Sequence, residues 1–188
     1  MKWLDSLLGR ATPPPPKLER LFALSTAYVT LAAKLGYSSG GKAGIVFRSA
    51  DAAGFQGLQQ ELEDLLQLSA AEMESRCLLQ KDDYGFLWMV VEDEQVEDQI
   101  ATVHLVSSTL TDQGYGSSLL AAVFRFEQAN QPIYWVYNYK RGSFYPFVPL
   151  PNQQRDNAKE FRLKALMEKE LPLETQLELW YPLWGLPV

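Results

Sequence analysis

Pairs of β-rich runs, each pair followed by a run of helical periodicity, constrain this chain most. Ser75-Arg76-Cys77-Leu78-Leu79-Gln80 and Phe86-Leu87-Trp88-Met89-Val90-Val91 flank the turn residues 81–85, which spells a hairpin. Residues 119–127 and 133–140 flank Gln128-Ala129-Asn130-Gln131 in the same way. Tyr28-Val29-Thr30-Leu31 and Gly44-Ile45-Val46-Phe47-Arg48 read as an earlier pair, with 36–41 as a loop or hairpin connection. Leu21-Phe22-Ala23-Leu24 reads as a short helical turn before them.

Helical stripes separate the pairs. Phe55, Leu58, Leu62, Leu65 and Leu66 recur at helical spacing, with Asp51 near the expected N-cap. Val96, Ile100, Val103, Ser107 and Leu110 form a second stripe, which Gly114 stops. A third helix is predicted over 155–170, with Ala158, Phe161, Ala165 and Leu166 inward and Pro172 beyond its end. Hairpins joined in this order make an α+β fold. It is a mainly antiparallel sheet with about three helices over one face. The tail 177–187 is too apolar to stand in water and is expected to pack on the body or in a partner.

Thr12-Pro13-Pro14-Pro15-Pro16-Lys17 is a stiff spacer. It divides a short N-terminal segment with its linker (1–17) from a single domain (18–188). If helical, residues 1–10 place Trp3, Leu4, Leu7 and Leu8 on one side, with Lys2 and Arg10 near the ends. Ten residues make a marginal helix alone, so a docking surface is needed: the body, a partner or a membrane interface.

Composition removes several function classes. One cysteine and one histidine, Cys77 and His104, leave no multi-cysteine zinc site and no multi-histidine centre. No apolar run reaches membrane-spanning length and no secretory signal opens the chain, so a cytoplasmic setting is expected. Residues 51–100 carry thirteen acidic and two basic side chains, the opposite of a nucleic-acid-wrapping face. The run 36–43 approaches a phosphate-binding loop, but Ala43 replaces its hydroxyl residue and β-type sequence follows, so a glycine-rich turn is expected. Cys77 reads as a small core hydrophobe and His104 as a core or boundary residue, rather than as a nucleophile and base. The acidic clusters at 82–83, 92–94 and 97–98 fall at turns and element ends and lack calcium-loop spacing. No cofactor or catalytic residue is expected.

The densest chemistry lies in Tyr139-Lys140-Arg141-Gly142-Ser143-Phe144-Tyr145-Pro146-Phe147-Val148-Pro149. Two arrangements fit it. The cations and aromatics form a gripping surface, or the aromatics cover the core while the cations point outward. This run resembles the signature of the PspA-associated protein PspAB family. Other parts agree: the opening 4–10 with its Leu-Leu-Gly-Arg ending, Leu21-Phe22-Ala23-Leu24, Asp83-Tyr84-Gly85-Phe86-Leu87-Trp88, and Thr109-Leu110 with Gly114-Tyr115-Gly116. So do Arg155-Asp156-Asn157, Leu171-Pro172-Leu173-Glu174, and the ending 180–187.

The resemblance implies a non-catalytic adaptor of a PspA-type, ESCRT-III-like envelope-stress response. Its implied partner is a PspA-like coiled-coil protein, with an anionic membrane surface and a second copy of the chain as further expected contacts. Trp3, Leu7, Lys140, Arg141, Phe144, Tyr145 and Phe147 are the expected contact residues. The helix–hairpin order is also similar to type III secretion chaperone-like and YbjN-like domains. A chaperone-like peptide holder is therefore the second reading, and an enzyme with a pocket around Arg141, Arg155 and Asp156 the third.

Overall fold

The structure, a computed structural model, describes residues 17–48, 52–69 and 75–188. Residues 12–16 of the spacer, the N-terminal segment with Trp3 and Leu7, and the expected N-cap Asp51 lie outside the described residues.

A 3-10 turn, Leu18–Phe22, runs directly into helix α1, Ala23–Leu35. The expected strand at Tyr28–Leu31 is therefore helix. Leu24, Ala27 and Leu31 recur at helical spacing and are buried, while Val29 faces solvent. Burying that stripe outweighs the weak β preference of Val29 and Thr30. Gly36, at φ 68°, ends the helix in the left-handed region, and its N–H donates to the Ala32 carbonyl.

Strand β1, Ser38–Phe47, begins within the expected loop and continues through the glycines. Its pairing shifts between Ser39 and Ala43, where Gly41 takes φ 69°. The near-match to a phosphate loop is thus a bulged strand, and Lys42 pairs with Glu92. Helix α2, Ala52–Ser69, follows. The hairpin β2, Arg76–Lys81, and β3, Leu87–Glu92, and the helix α3, Val96–Asp112, agree with the sequence reading. All five residues of the predicted α3 stripe are buried.

Next come β4, Leu119–Gln128, β5, Gln131–Asn138, and β6, Ser143–Phe147. The short strands β7, Pro149–Leu150, and β8, Gln154–Arg155, pair with each other. Helix α4, Asn157–Met167, is shorter than expected and turned differently. Its buried residues are Glu160, Leu163 and Met167, while Ala158, Phe161, Ala165 and Leu166 face outward. The reason is Glu160. Its carboxylate accepts from the Val148 N–H at 2.8 Å and from Arg155 Nε at 3.0 Å, which pulls a charged face inward.

The six long strands form one antiparallel sheet in the order β2-β3-β1-β4-β5-β6. Strand alternation divides its side chains between two cores. Ile45, Met89, Phe124, Trp135 and Phe144 face the helices, as expected. Val46, Trp88, Val123, Val136, Tyr145 and Phe147 face the opposite side. Among the described residues, no helix covers that side. The tail does: Trp180 and Val188 are buried on it, with Leu183, Trp184 and Leu186 packed beside them. Trp180 stacks on Tyr145 and Trp184 meets Phe147 edge-on, with centroids 6.1 and 5.1 Å apart. Residues 172–174 also seal the β6 edge. Phe144 N–H donates to the Pro172 carbonyl, and Glu174 N–H donates to the Phe144 carbonyl, each at 2.8 Å.

Candidate functional site

The tail leaves part of the second face open. An apolar cleft of about 730 Å³ lies there, at the end of the sheet where β1 and β5 finish and β3 and β4 begin. Each wall has a local cause. Asp82 shapes the β2–β3 turn: one carboxylate oxygen accepts the Tyr84 and Phe86 N–H groups, the other the Trp88 indole N–H, all at 2.9 Å. That turn holds Tyr84, 67% exposed, and Phe86 at one end of the cleft. Leu119, Leu120 and Ala121 of β4 form the floor with Val46 and Trp88. Pro182, Leu183, Trp184 and Leu186 form the tail wall. Asn138, Tyr139 and Lys140 close the other end, with Lys140 exposed.

This lining suits binding better than bond chemistry. It contains no histidine and no cysteine. Among the described residues its one carboxylate is that of Asp82, already engaged by three donors. Burial pushes the Tyr139 and Tyr145 hydroxyls above the ordinary phenol range. Large exposed rings around an apolar floor are the features of a groove that accepts another apolar surface.

The predicted contact residues are divided. Lys140 is on the cleft rim. Arg141 is half-exposed, but its guanidinium is committed to Glu174, with Nε to Oε2 at 2.8 Å and Nη2 to Oε1 at 3.2 Å. Phe144, Tyr145 and Phe147 are buried, which corrects the picture of an aromatic gripping surface in this run. β6 is covered on both faces, so its aromatics serve the cores and only the cations of the preceding turn point outward. Only Tyr145 reaches the cleft, from its floor. Trp3 and Leu7 lie outside the described residues.

The other chemical candidates are engaged elsewhere. Burial pushes the Cys77 thiol up to about 11, the opposite of an activated nucleophile. His104 faces Glu19 at 3.3 Å and packs at a tilt against the Phe22 ring, with centroids 4.6 Å apart. Arg155 pairs with Glu160, and the Asp156 side chain caps α4 at the Lys159 N–H, so Arg141, Arg155 and Asp156 do not converge. Among the described residues, no group of three His, Cys, Asp or Glu side chains could hold a metal.

A second concavity of about 470 Å³ lies between α1 and α4, with Lys34, Lys159 and Arg162 around Tyr37. Lys159 donates to Gln131 at 2.8 Å and lies over the Tyr37 ring, and burial lowers its pKa. It is smaller and more polar than the apolar cleft.

The sequence held two signals for the cleft, neither of them charged. One is the apolar tail. The other is Tyr84 and Phe86 in a turn that had no core reason to carry aromatics.

In comparisons with known proteins, the model of one family, PspA associated protein B, matches residues 1–188, the whole chain. No curated protein and no solved structure matches it.

Proposed function

Because the chain belongs to the PspA associated protein B family, we propose that it is a non-catalytic accessory protein that binds a PspA-like coiled-coil protein in an envelope-stress response. The observation that carries the reading is the apolar cleft with Tyr84, Phe86 and Tyr181 around it and Lys140 at its rim. A coiled-coil protein is built of amphipathic helices, and an amphipathic helix buries its apolar face in a groove of this kind. Contact then runs through the cleft and Lys140 rather than through the rings of Phe144 and Phe147. Among the described residues, no helix is long and apolar enough to cross a membrane. The reading places the protein in the cytoplasm, with contact to an anionic membrane peripheral and secondary to the partner.

The same cleft favours a second reading, a chaperone-like module that holds apolar peptides without regard to their source. Co-sedimentation of the full chain with a purified PspA-type protein, with and without phosphatidylglycerol vesicles, separates the two. We expect binding without lipid. We expect it to weaken about tenfold or more in Ser117→Trp, which fills the cleft from an exposed position, a loss of about 1.4 kcal/mol. Unchanged binding in a folded Ser117→Trp protein would remove the cleft from the contact. Equal binding of unrelated amphipathic peptides would favour the peptide holder.

A further inference from the structure

We propose that residues 1–10 dock in the apolar cleft of their own chain, with Trp3, Leu4, Leu7 and Leu8 facing inward. The proposal shares the cleft with the preceding section but does not depend on any partner.

The first observation is where the described chain begins. The Lys17 carbonyl accepts the Tyr137 hydroxyl at 2.5 Å, and a Cβ on Gly142 would lie 2.8 Å from Lys17 Cδ. Arg20 Nη1 donates to the Gly142 carbonyl at 3.0 Å, which fastens the chain there again. Gly142 belongs to the β5–β6 turn, and Asn138, Tyr139 and Lys140 just before it close one end of the cleft. The N-terminal segment is therefore delivered to the end of the sheet where the cleft opens. It arrives on the helix side, since Tyr137 belongs to the helix-facing core.

The second observation is length. To reach the cleft, the chain must pass around the sheet end, a path of about 10 Å by the spacing of packed layers. Residues 11–16 include four prolines and, extended as polyproline II, span about 19 Å. The cleft runs from the β2–β3 turn to the end of β5. The sheet order makes that three strand spacings, or about 14 Å. A ten-residue helix is about 15 Å long.

The third observation is chemical fit, and it sets the direction. With the linker entering beside Lys140, Arg10 is near the β5 end and Lys2 at the far end. The far end carries Asp83, exposed in the β2–β3 turn. Trp3 then meets Phe86 and Trp88, and Leu7 meets the Leu120 and Leu183 region. A short helix that is marginal in water gains its stability from such burial. Because the cleft and the segment share one chain, docking does not depend on protein concentration.

The test uses the full chain with a benzophenone amino acid, p-benzoylphenylalanine, in place of Trp3 or of Leu7. After irradiation, monomer adducts are mapped by mass spectrometry. Position 3 is expected to mark residues 82–88, and position 7 to mark 116–121 and 181–186. Adding Ser117→Trp should abolish most of both. Adducts elsewhere on the chain, adducts between two copies, or no adducts would overturn the proposal. Adducts formed only to lipid, with phosphatidylglycerol vesicles present, would make the segment a membrane contact and overturn it too. Adding a PspA-type protein keeps the two readings apart. Loss of the intrachain adducts as the partner binds would show one cleft with two competing occupants. If the adducts persist while the partner binds, self-docking stands and the partner's place in the cleft fails.

Discussion

Replacing Glu174 by glutamine removes one negative charge from the bond that ties the tail to the β5–β6 turn. The carboxylate of Glu174 accepts from Arg141 through two nitrogens, from Ser143 Oγ at 3.1 Å, and from the Thr175 and Gln176 N–H groups at 3.0 and 3.1 Å. The Arg141 hydrogen bond is the largest cause holding its pKa at about 2, below an ordinary value of 4.5; burial works against it. That depression is equivalent to about 3 kcal/mol in favour of the folded anion. The Arg141 side chain is 43% exposed, so water screens part of the attraction, and we expect about 2 kcal/mol. The folded pKa lies below the unfolded one, so the contribution is complete above about pH 5 and fades as pH falls through about 2. Urea denaturation of wild type and Glu174→Gln at pH 7 and pH 3 measures it. With a slope of about 2 kcal/mol per molar, the pH 7 midpoints should differ by about 1 M. By pH 3 more than half of that gap should close. A gap of equal size at both pH values would refute the electrostatic reasoning, as would no gap at pH 7.

Tyr139→Phe removes the buried hydrogen bond between Tyr139 Oη and Ser107 Oγ, while Ser107 keeps its bond to the Val103 carbonyl. We expect a loss of about 1 kcal/mol in thermal or urea unfolding, and an unchanged midpoint would count against the bond. Gly142→Ala places a side chain at φ 66° and against Lys17, so it should cost about 1 kcal/mol or more and release the start of the described chain to proteolysis near residue 17. Stability equal to wild type would contradict it. The Cys77 thiol, at about 11, should react with a thiol reagent at pH 8 more than tenfold slower than free cysteine, and at the ordinary rate once the chain is unfolded in urea. Fast labelling of the folded protein would show that burial does not control it.

The hairpins and the α3 stripe were legible because each carries its own period, whereas the α4 stripe was misread because the buried Glu160 turns that helix. The β2–β3 pair has turn residues between two apolar runs, and the α3 stripe repeats at helical spacing on one face. Helix α1 was hidden by Val29 and Thr30, whose β preference is a property of single residues, whereas the helix rests on what Leu24, Ala27 and Leu31 touch. Strand β6 was hidden for another reason. All five of its residues are buried, so it shows no alternation, and adjacent cations made its aromatics resemble a surface. The cleft is assembled from the 82–88, 116–121, 138–140 and 181–186 regions. No local pattern reports which distant segments will share a wall.

The second core closes on Val188. Val188 seats against Gly44, where a Cβ would come within 2.8 Å of Val188 Cγ1, and its carbonyl accepts the Tyr134 hydroxyl at 3.3 Å. During synthesis the six-stranded sheet can pair, and its helix side can fill, while the tail is still inside the ribosome. For that interval Trp88, Val123 and Tyr145 face water. The apolar strip is covered only once residues 180–188 have emerged. A nascent chain stalled before that point therefore displays a sticky sheet face that the folded domain largely hides, and a chain cut before Trp180 would keep it.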